Sequence, residues 1–186
     1  MSHTYSANYF HCIFSAKERK STIPDELQTK LWAYMAGIAR NLGIVAVAIG
    51  GTSNHAHLLL ALKPNMAVAE AIQKLKANSS RWMGEQSLSF EWQKGYAALS
   101  VSPSLVVNVR SYVLNQQEHH RKRTFEEEFV TLLGKAGITH DSPVSSPPDC
   151  AVPCGDSGCI PAFPALTCWA SQISSLRDWG SIRKVT

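Results

Sequence analysis

Apolar and polar positions follow two rhythms along residues 5–138 of the chain. Tyr5 to Ser15 (YSANYFHCIFS) is aromatic and β-branched, which predicts a first strand. Pro24 then opens a helix, with Asp25 and Glu26 in its first turn, where acidic groups favour the positive end of the dipole. Leu27, Leu31, Tyr34, Met35, Ile38 and Leu42 recur at three or four residues until Asn41 and Gly43 stop the pattern. Ile44 to Ile49 (IVAVAI) reads as a buried strand. Gly50 and Gly51 begin a turn, and His55 to Leu62 (HAHLLLAL) reads as the neighbouring strand. Asn65 is the expected cap of a second helix to about Met83, with Val68, Ile72, Leu75 and Trp82 on one face. Tyr96 to Val101 predicts a further strand. Pro103 to about His119 predicts a third helix, with Leu105, Val106, Val109, Val113 and Leu114 as its apolar stripe. Phe125 to Leu133 extends that helix or forms a short fourth one.

The order β-α-β-β-α-β-α places two βαβ-like halves around a central hairpin. It predicts an α+β fold: a ferredoxin-like (split βαβ) antiparallel sheet with helices on one face. From Ser142 the character changes. Six of the nine prolines and four of the five cysteines lie beyond that point, and all seven histidines lie before it. The expected division is therefore a catalytic domain over residues 1–141 and an irregular Pro/Ser/Cys-rich tail over 142–186, read as loop or disorder. Cys150, Cys154, Cys159 and Cys168 lack the paired C-x2-C spacing of common zinc sites and are expected to be reduced thiols.

Composition narrows the function classes. At 45% apolar and 17% charged residues, the 186-residue chain is no polyelectrolyte. No apolar run reaches the roughly 18–20 residues of a membrane-spanning helix. The N-terminus has no basic stretch followed by an apolar one, so no secretory signal is expected. The net charge of +4 is compatible with a nucleic-acid partner, and it belongs to the first 141 residues: 15 Lys+Arg against 11 Asp+Glu.

Two short motifs carry the chemistry. In His55-Ala56-His57, strand periodicity sends both imidazoles to one face. Two convergent imidazoles are half of a metal site. The plainer reading, two histidines at a strand edge, is weakened by the apolar run around them, where unpaired polar rings are costly. In Tyr112-Val113-Leu114-Asn115-Gln116, the phenol and the amide share one helix face. A helical tyrosine alone is usually packing. Beside the first motif it suggests a tyrosine nucleophile next to a metal held by two histidines and an oxygen ligand.

The His-Ala-His strand, followed about 55 residues later by Y-x-x-N-Q, resembles the single-tyrosine HUH transposases of small bacterial insertion sequences. LKANSSRWM (75–83), WQKGYAALSVSPS (92–104) and NQQEHHRKRTFEEEF (115–129) resemble the REP-associated tyrosine transposases in particular. The resemblance spans roughly residues 5–135 and omits the tail. It implies that His55 and His57 bind Mg²⁺ or Mn²⁺, with Gln116 as a third ligand. It implies that Tyr112 attacks single-stranded DNA, leaving a 5′-phosphotyrosine and a free 3′-hydroxyl without an organic cofactor. It further implies a homodimer in which the Tyr helix of one subunit can serve the other, DNA ends folded into hairpins, and a bacterial cytoplasmic location. Asn54 stands where many relatives have an acidic or other polar residue, and is read as a turn residue able to orient His55 or touch DNA. Two other readings are an inactive hairpin-binding protein and a replication-initiator or relaxase-type HUH nuclease.

Lys74, Lys76 and Arg81 on the second helix, and Arg110, Arg121, Lys122 and Arg123 around the Tyr motif, are candidates for DNA backbone contact. Trp82, Trp92 and Tyr96 are candidates for stacking on unpaired bases. His119 and His120, about 100° apart on a helix, are expected at the surface or on DNA rather than on one metal. Glu126, Glu127 and Glu128 are read as a solvated face.

Overall fold

The computed structural model describes residues 5–86 and 89–139; the expectations for the tail and its cysteines lie outside the described residues. Strands β1 (Asn8–Ser15), β2 (Val45–Gly51), β3 (His55–Leu62) and β4 (Ala97–Val101) form one sheet in the order β2-β3-β1-β4. Every pairing is antiparallel. This is the split βαβ arrangement expected from the alternation of elements. Helix α1 (Asp25–Asn41) links β1 to β2, and helix α2 (Val68–Glu85) links β3 to β4.

Strand alternation sorts the core into two layers. Phe10, Cys12 and Phe14 of β1 join Ala56, Leu58, Leu60 and Leu62 of β3 beneath α1 and α2. Leu31, Met35 and Ala39 of α1 and Ala71, Ile72, Leu75 and Met83 of α2 close that layer. Helix α1 ends where Gly43, at φ +70°, lets the amide of Ile44 reach the carbonyl of Ala39, and its own amide that of Arg40.

The opposite face carries helices too, which corrects the expectation of helices on one face only. Helix α3 (Val106–Leu114) sets Val106, Val109 and Val113 against Ala48, Leu59 and Val101. Helix α5 (Phe125–Lys135) sets Phe125 and Leu133 against Ile13 and Ala97. The physical reason is that β3 is buried on both sides, Leu59 as fully as Leu58 and Leu60. A strand reading HAHLLLAL cannot leave either face to water. Gly50 permits the close approach of α3: a Cβ there would lie 2.2 Å from the carbonyl oxygen of Val113.

Other boundaries differ from the sequence pattern. Gly50 and Gly51 belong to β2, and the hairpin turn is Thr52-Ser53-Asn54. Helix α2 begins at Val68 after Ala67 and not at an Asn65 cap, because the Met66 amide closes a turn onto the Lys63 carbonyl first. The third helix is not continuous to His119. A 3-10 turn (Pro103–Leu105) leads into α3, and the backbone breaks at Asn115 before a single turn, α4 (Gln116–His119). At the break, the Gln116 side-chain amide donates to the Tyr112 carbonyl at 3.2 Å, taking the acceptor that a continuing helix would use. Helix α5 is separate and starts with a capping box between Thr124 and Glu127. Among the described residues, no helix is long and apolar enough to cross a membrane.

Candidate active site

The two histidines of β3 point to the face that α3, α4 and α5 cover, and both are fully buried. His57 pairs with Ile13, and His55 with Ser15, at the β1–β3 ladder's end. The break at Asn115 turns α4 so that Gln116, His119 and His120 face the same place. From the far side α5 brings Glu128, 3% exposed.

Ligand-type atoms converge there. The nearest nitrogens of His55, His57 and His120 and a carboxylate oxygen of Glu128 all lie within 4.8 Å of one another. Glu128 Oε2 is 2.8 Å from His120 Nε2, 3.5 Å from His57 Nε2 and 3.9 Å from His55 Nε2. The remaining ring nitrogens fix the protons. His55 Nδ1 faces Asn54 Oδ1 at 2.7 Å, with Thr52 Oγ1 at 3.0 Å, and His120 Nδ1 faces the Arg123 carbonyl at 3.0 Å. A carbonyl oxygen only accepts, so in the neutral ring of His55 Nδ1 carries the hydrogen and Nε2 carries a lone pair, whereas His120 meets acceptors at both nitrogens, the Arg123 carbonyl at Nδ1 and Gln116 Oε1 with Glu128 Oε2 at Nε2. Gln116 adds its Oε1, 3.1 Å from His120 Nε2, because its amide nitrogen is engaged by the Tyr112 carbonyl.

The result is a buried concentration of electron pairs. His55 Nε2, His57 Nε2 and Glu128 Oε2 have no hydrogen-bond partner. Leaving such atoms unpaired is expensive, and a cation resolves all of them at once. The donor set therefore fits a divalent metal: His55, His57, Glu128, His120 and Gln116 are the residues able to hold it. The electrostatics agree. Burial, then the neighbouring imidazoles, lower the pKa of His55 to about 2 and that of His57 to about 3. Burial raises Glu128 to about 7 and lowers His119 and His120.

Tyr112 stands at the edge of this cluster. Its hydroxyl is hydrogen-bonded to Glu128 Oε1, and its ring lies 5.9 Å, centroid to centroid, from that of His57. Tyrosine and histidines thus meet within one chain. His119 Nε2 lies 3.6 Å from the same carboxylate. Beside the cluster, a cleft of about 650 Å³ runs between the Thr52–Asn54 turn and the segment from His120 to Glu127. Arg121, Lys122 and Arg123 line it, Arg121 also paired with Glu118 at 2.9 Å.

The other basic residues lie elsewhere. Arg110 is exposed on α3. Lys74, Lys76 and Arg81 belong to α2, which covers the sheet face away from the histidines. Lys74 pairs with Glu70, and Arg81 bonds Asn78. The Lys76 ammonium is taken up by the carbonyls of Gln93, Lys94 and Gly95. Trp92 is buried against Phe14 and Phe90, and Trp82 stacks on Tyr34; Tyr96 keeps an exposed ring.

Sequence reasoning missed Glu128, His120 and His11. Glu128 is no solvated side chain: helical periodicity puts it on the face of Phe125 and Leu132, a signal present in FEEEFVTLL. His120 reaches the cluster because α4 ends before it, and the 100° argument presumed an unbroken helix. Asn54 both turns the chain and holds His55.

A split βαβ sheet thus gathers paired histidines, a carboxylate and a tyrosine on one buried face. The family model described as "Transposase IS200 like" matches residues 4–116, and the chain belongs to that family: it is a transposase, an enzyme of DNA strand cleavage and transfer. It is similar to the ISDra2 transposase TnpA of Deinococcus radiodurans, 24% identical over 117 residues, covering 59% of this chain and 84% of that one. Among solved structures, it is similar to a transposase from Deinococcus radiodurans R1 at 25% identity and a TM-score of 0.50, covering 62% of this chain and 96% of the other. A REP-associated tyrosine transposase bound to a REP hairpin aligns at 16% identity and a TM-score of 0.44, over 61% and 68%.

Proposed function

We propose that the chain cleaves and rejoins single-stranded DNA with Tyr112 as nucleophile, at a divalent metal held by His55 and His57. The observation that carries this reading is the meeting of the Tyr112 hydroxyl and the orphaned histidine nitrogens on one carboxylate, Glu128. A bound metal would polarise the scissile phosphodiester and stabilise its developing charge. Glu128, His120 and Gln116 complete its donor set. Three imidazoles with one carboxylate suit Mn²⁺ better than Mg²⁺, which prefers oxygen ligands and keeps its waters.

In the reaction Tyr112 Oη gives up its proton and attacks the phosphorus. A new P–O bond to tyrosine forms and the P–O3′ bond breaks. The products are a 5′-phosphotyrosine and a 3′-oxygen that takes up a proton. Reversal by another 3′-hydroxyl joins strands and releases the tyrosine. The substrate strand lies in the cleft lined by Arg121, Lys122 and Arg123, whose charges suit its phosphates. Arg110, on the helix of Tyr112, is the next candidate; Lys74, Lys76 and Arg81, on the other sheet face, would serve a more distant part of the DNA.

Tyr112 serves the histidines of its own chain, so a dimer is not needed to complete a site. The test uses labelled single-stranded DNA from the flanks of the gene, hairpins included, with Mn²⁺, Mg²⁺ or EDTA. A covalent adduct on a denaturing gel is expected with metal and lost in Tyr112→Phe. Mixing Tyr112→Phe with His57→Ala protein is expected to restore no adduct; restoration would show exchange of tyrosines between subunits. Hairpin binding without any adduct would favour the binding protein over the enzyme mechanism.

A further inference from the structure

The imidazole of His55 has its tautomer dictated by the side-chain carbonyl oxygen of Asn54, which can only accept. His57 has no such partner. Its Nδ1 lies 2.9 Å from Nε2 of His11, a buried ring able to donate or accept. Whether His57 presents a lone pair or a hydrogen to the site is therefore decided by His11.

We propose that His11 is a positioning residue: its Nε2 accepts the Nδ1–H of His57 and so holds His57 Nε2 as the lone pair facing the metal. The inference rests on the metal reading above and deepens it. The fold places His11 well for this task. It stands on β1, two residues before Ile13, which pairs with His57, so the rings sit diagonally on one sheet face. Their centroids are 5.1 Å apart at a tilt of 31°, and His11 is 4% exposed. Its neighbours on that face, Tyr9 and Ile13, pack into apolar clusters. An imidazole there is a costly occupant compared with a hydrophobe, and the hydrogen bond to His57 is what it supplies. Partners of this kind fix ring orientation and tautomer, and their loss weakens metal affinity by about 10–100-fold.

The experiment uses the full chain and Mn²⁺ alone as probe, read by electron paramagnetic resonance of the free ion. Wild type, His57→Ala, His11→Phe and His11→Gln are compared. Nitrogen-15 spectra of the histidines in the metal-free protein report which nitrogen is protonated. Wild type is expected to bind Mn²⁺ and His57→Ala to lose it. His11→Phe keeps a ring but no acceptor, and is expected to bind about 10–100-fold more weakly, with the His57 proton moved to Nε2. His11→Gln offers a carbonyl oxygen in place of the ring nitrogen and is expected to recover most of the affinity. Unchanged binding in His11→Phe, or a wild-type His57 protonated on Nε2, overturns the assignment to His11. Absence of Mn²⁺ binding in wild type overturns the metal reading itself, while the nitrogen spectra still decide the tautomer. If His11→Phe does not fold, those spectra and His11→Gln decide alone.

Discussion

Replacing Glu128 by glutamine separates the cost of burying a carboxylate from the use of its charge. Burial raises the Glu128 pKa from 4.5 to about 7. A carboxyl whose folded pKa is raised contributes stability below its unfolded pKa and loses it as pH rises through the folded one. The side chain is 3% exposed, so solvent screens this little. At about 1.4 kcal/mol per pK unit, the charged form costs about 3 kcal/mol at pH 8 and about 1 kcal/mol at pH 5. Glutamine keeps the shape, can still accept from Tyr112, and removes the charge. The metal-free Glu128→Gln protein should therefore melt about 10 °C above wild type at pH 8, with a much smaller gain at pH 5. Added Mn²⁺ should reverse the order, raising the wild-type melting temperature and moving the variant far less. Differential scanning calorimetry at both pH values, with and without Mn²⁺, measures all four quantities. A gain independent of pH, or a variant as metal-responsive as wild type, would refute the placement of a buried charge opposite a cation.

Three further outcomes follow from the same geometry. Acid should destabilise the metal-free protein: His11, His55 and His57, lowered to about 3, 2 and 3, confer stability above pH 6.5 that is lost as pH falls, and Glu128 opposes them. The net loss is about 3 kcal/mol between pH 6.5 and 5, rising to about 5 in Glu128→Gln, read from urea unfolding. Gly50→Ala, whose Cβ would meet the Val113 carbonyl, should displace α3, cost about 1–3 kcal/mol and cut adduct formation by about tenfold or more. Lys122→Ala with Arg123→Ala should lower the salt dependence of single-stranded DNA binding by about 0.7 in log–log slope for each phosphate that is no longer neutralised. Filter binding across a salt series checks it.

Much of this fold is legible in the sequence because its period switches cleanly between 2 and 3.6. The strands are bounded by Gly43 and Pro64, and the α1 stripe is regular. The second helical layer is harder to see, since a strand such as HAHLLLAL reads as buried without saying by what. The site is half legible. Alternation alone puts His55 and His57 on one face, and helical spacing joins Tyr112 to Gln116. His120 depends on the break at Asn115, which a short segment rich in helix formers hides, and Glu128 is marked as inward only by the helical period of FEEEFVTLL. Their place in the cluster also comes from outside residues 4–116, the segment shared with the family. His11 is invisible for another reason: its role needs the β1–β3 register, which no local pattern encodes.

The small hydrophobic contact of α5 has a consequence for the order in which the protein opens. Helix α5 rests on the sheet through Phe125 and Leu133 with Phe129 and Leu132 beside them, while the layer under α1 and α2 is several times larger. Such a helix is a unit of low local stability, and it carries Glu128 in its first turn. A cation held by Glu128 would act as a clasp between α5 and the sheet, so that its occupancy would govern amide exchange across residues 125–135 more than in β1 or β3.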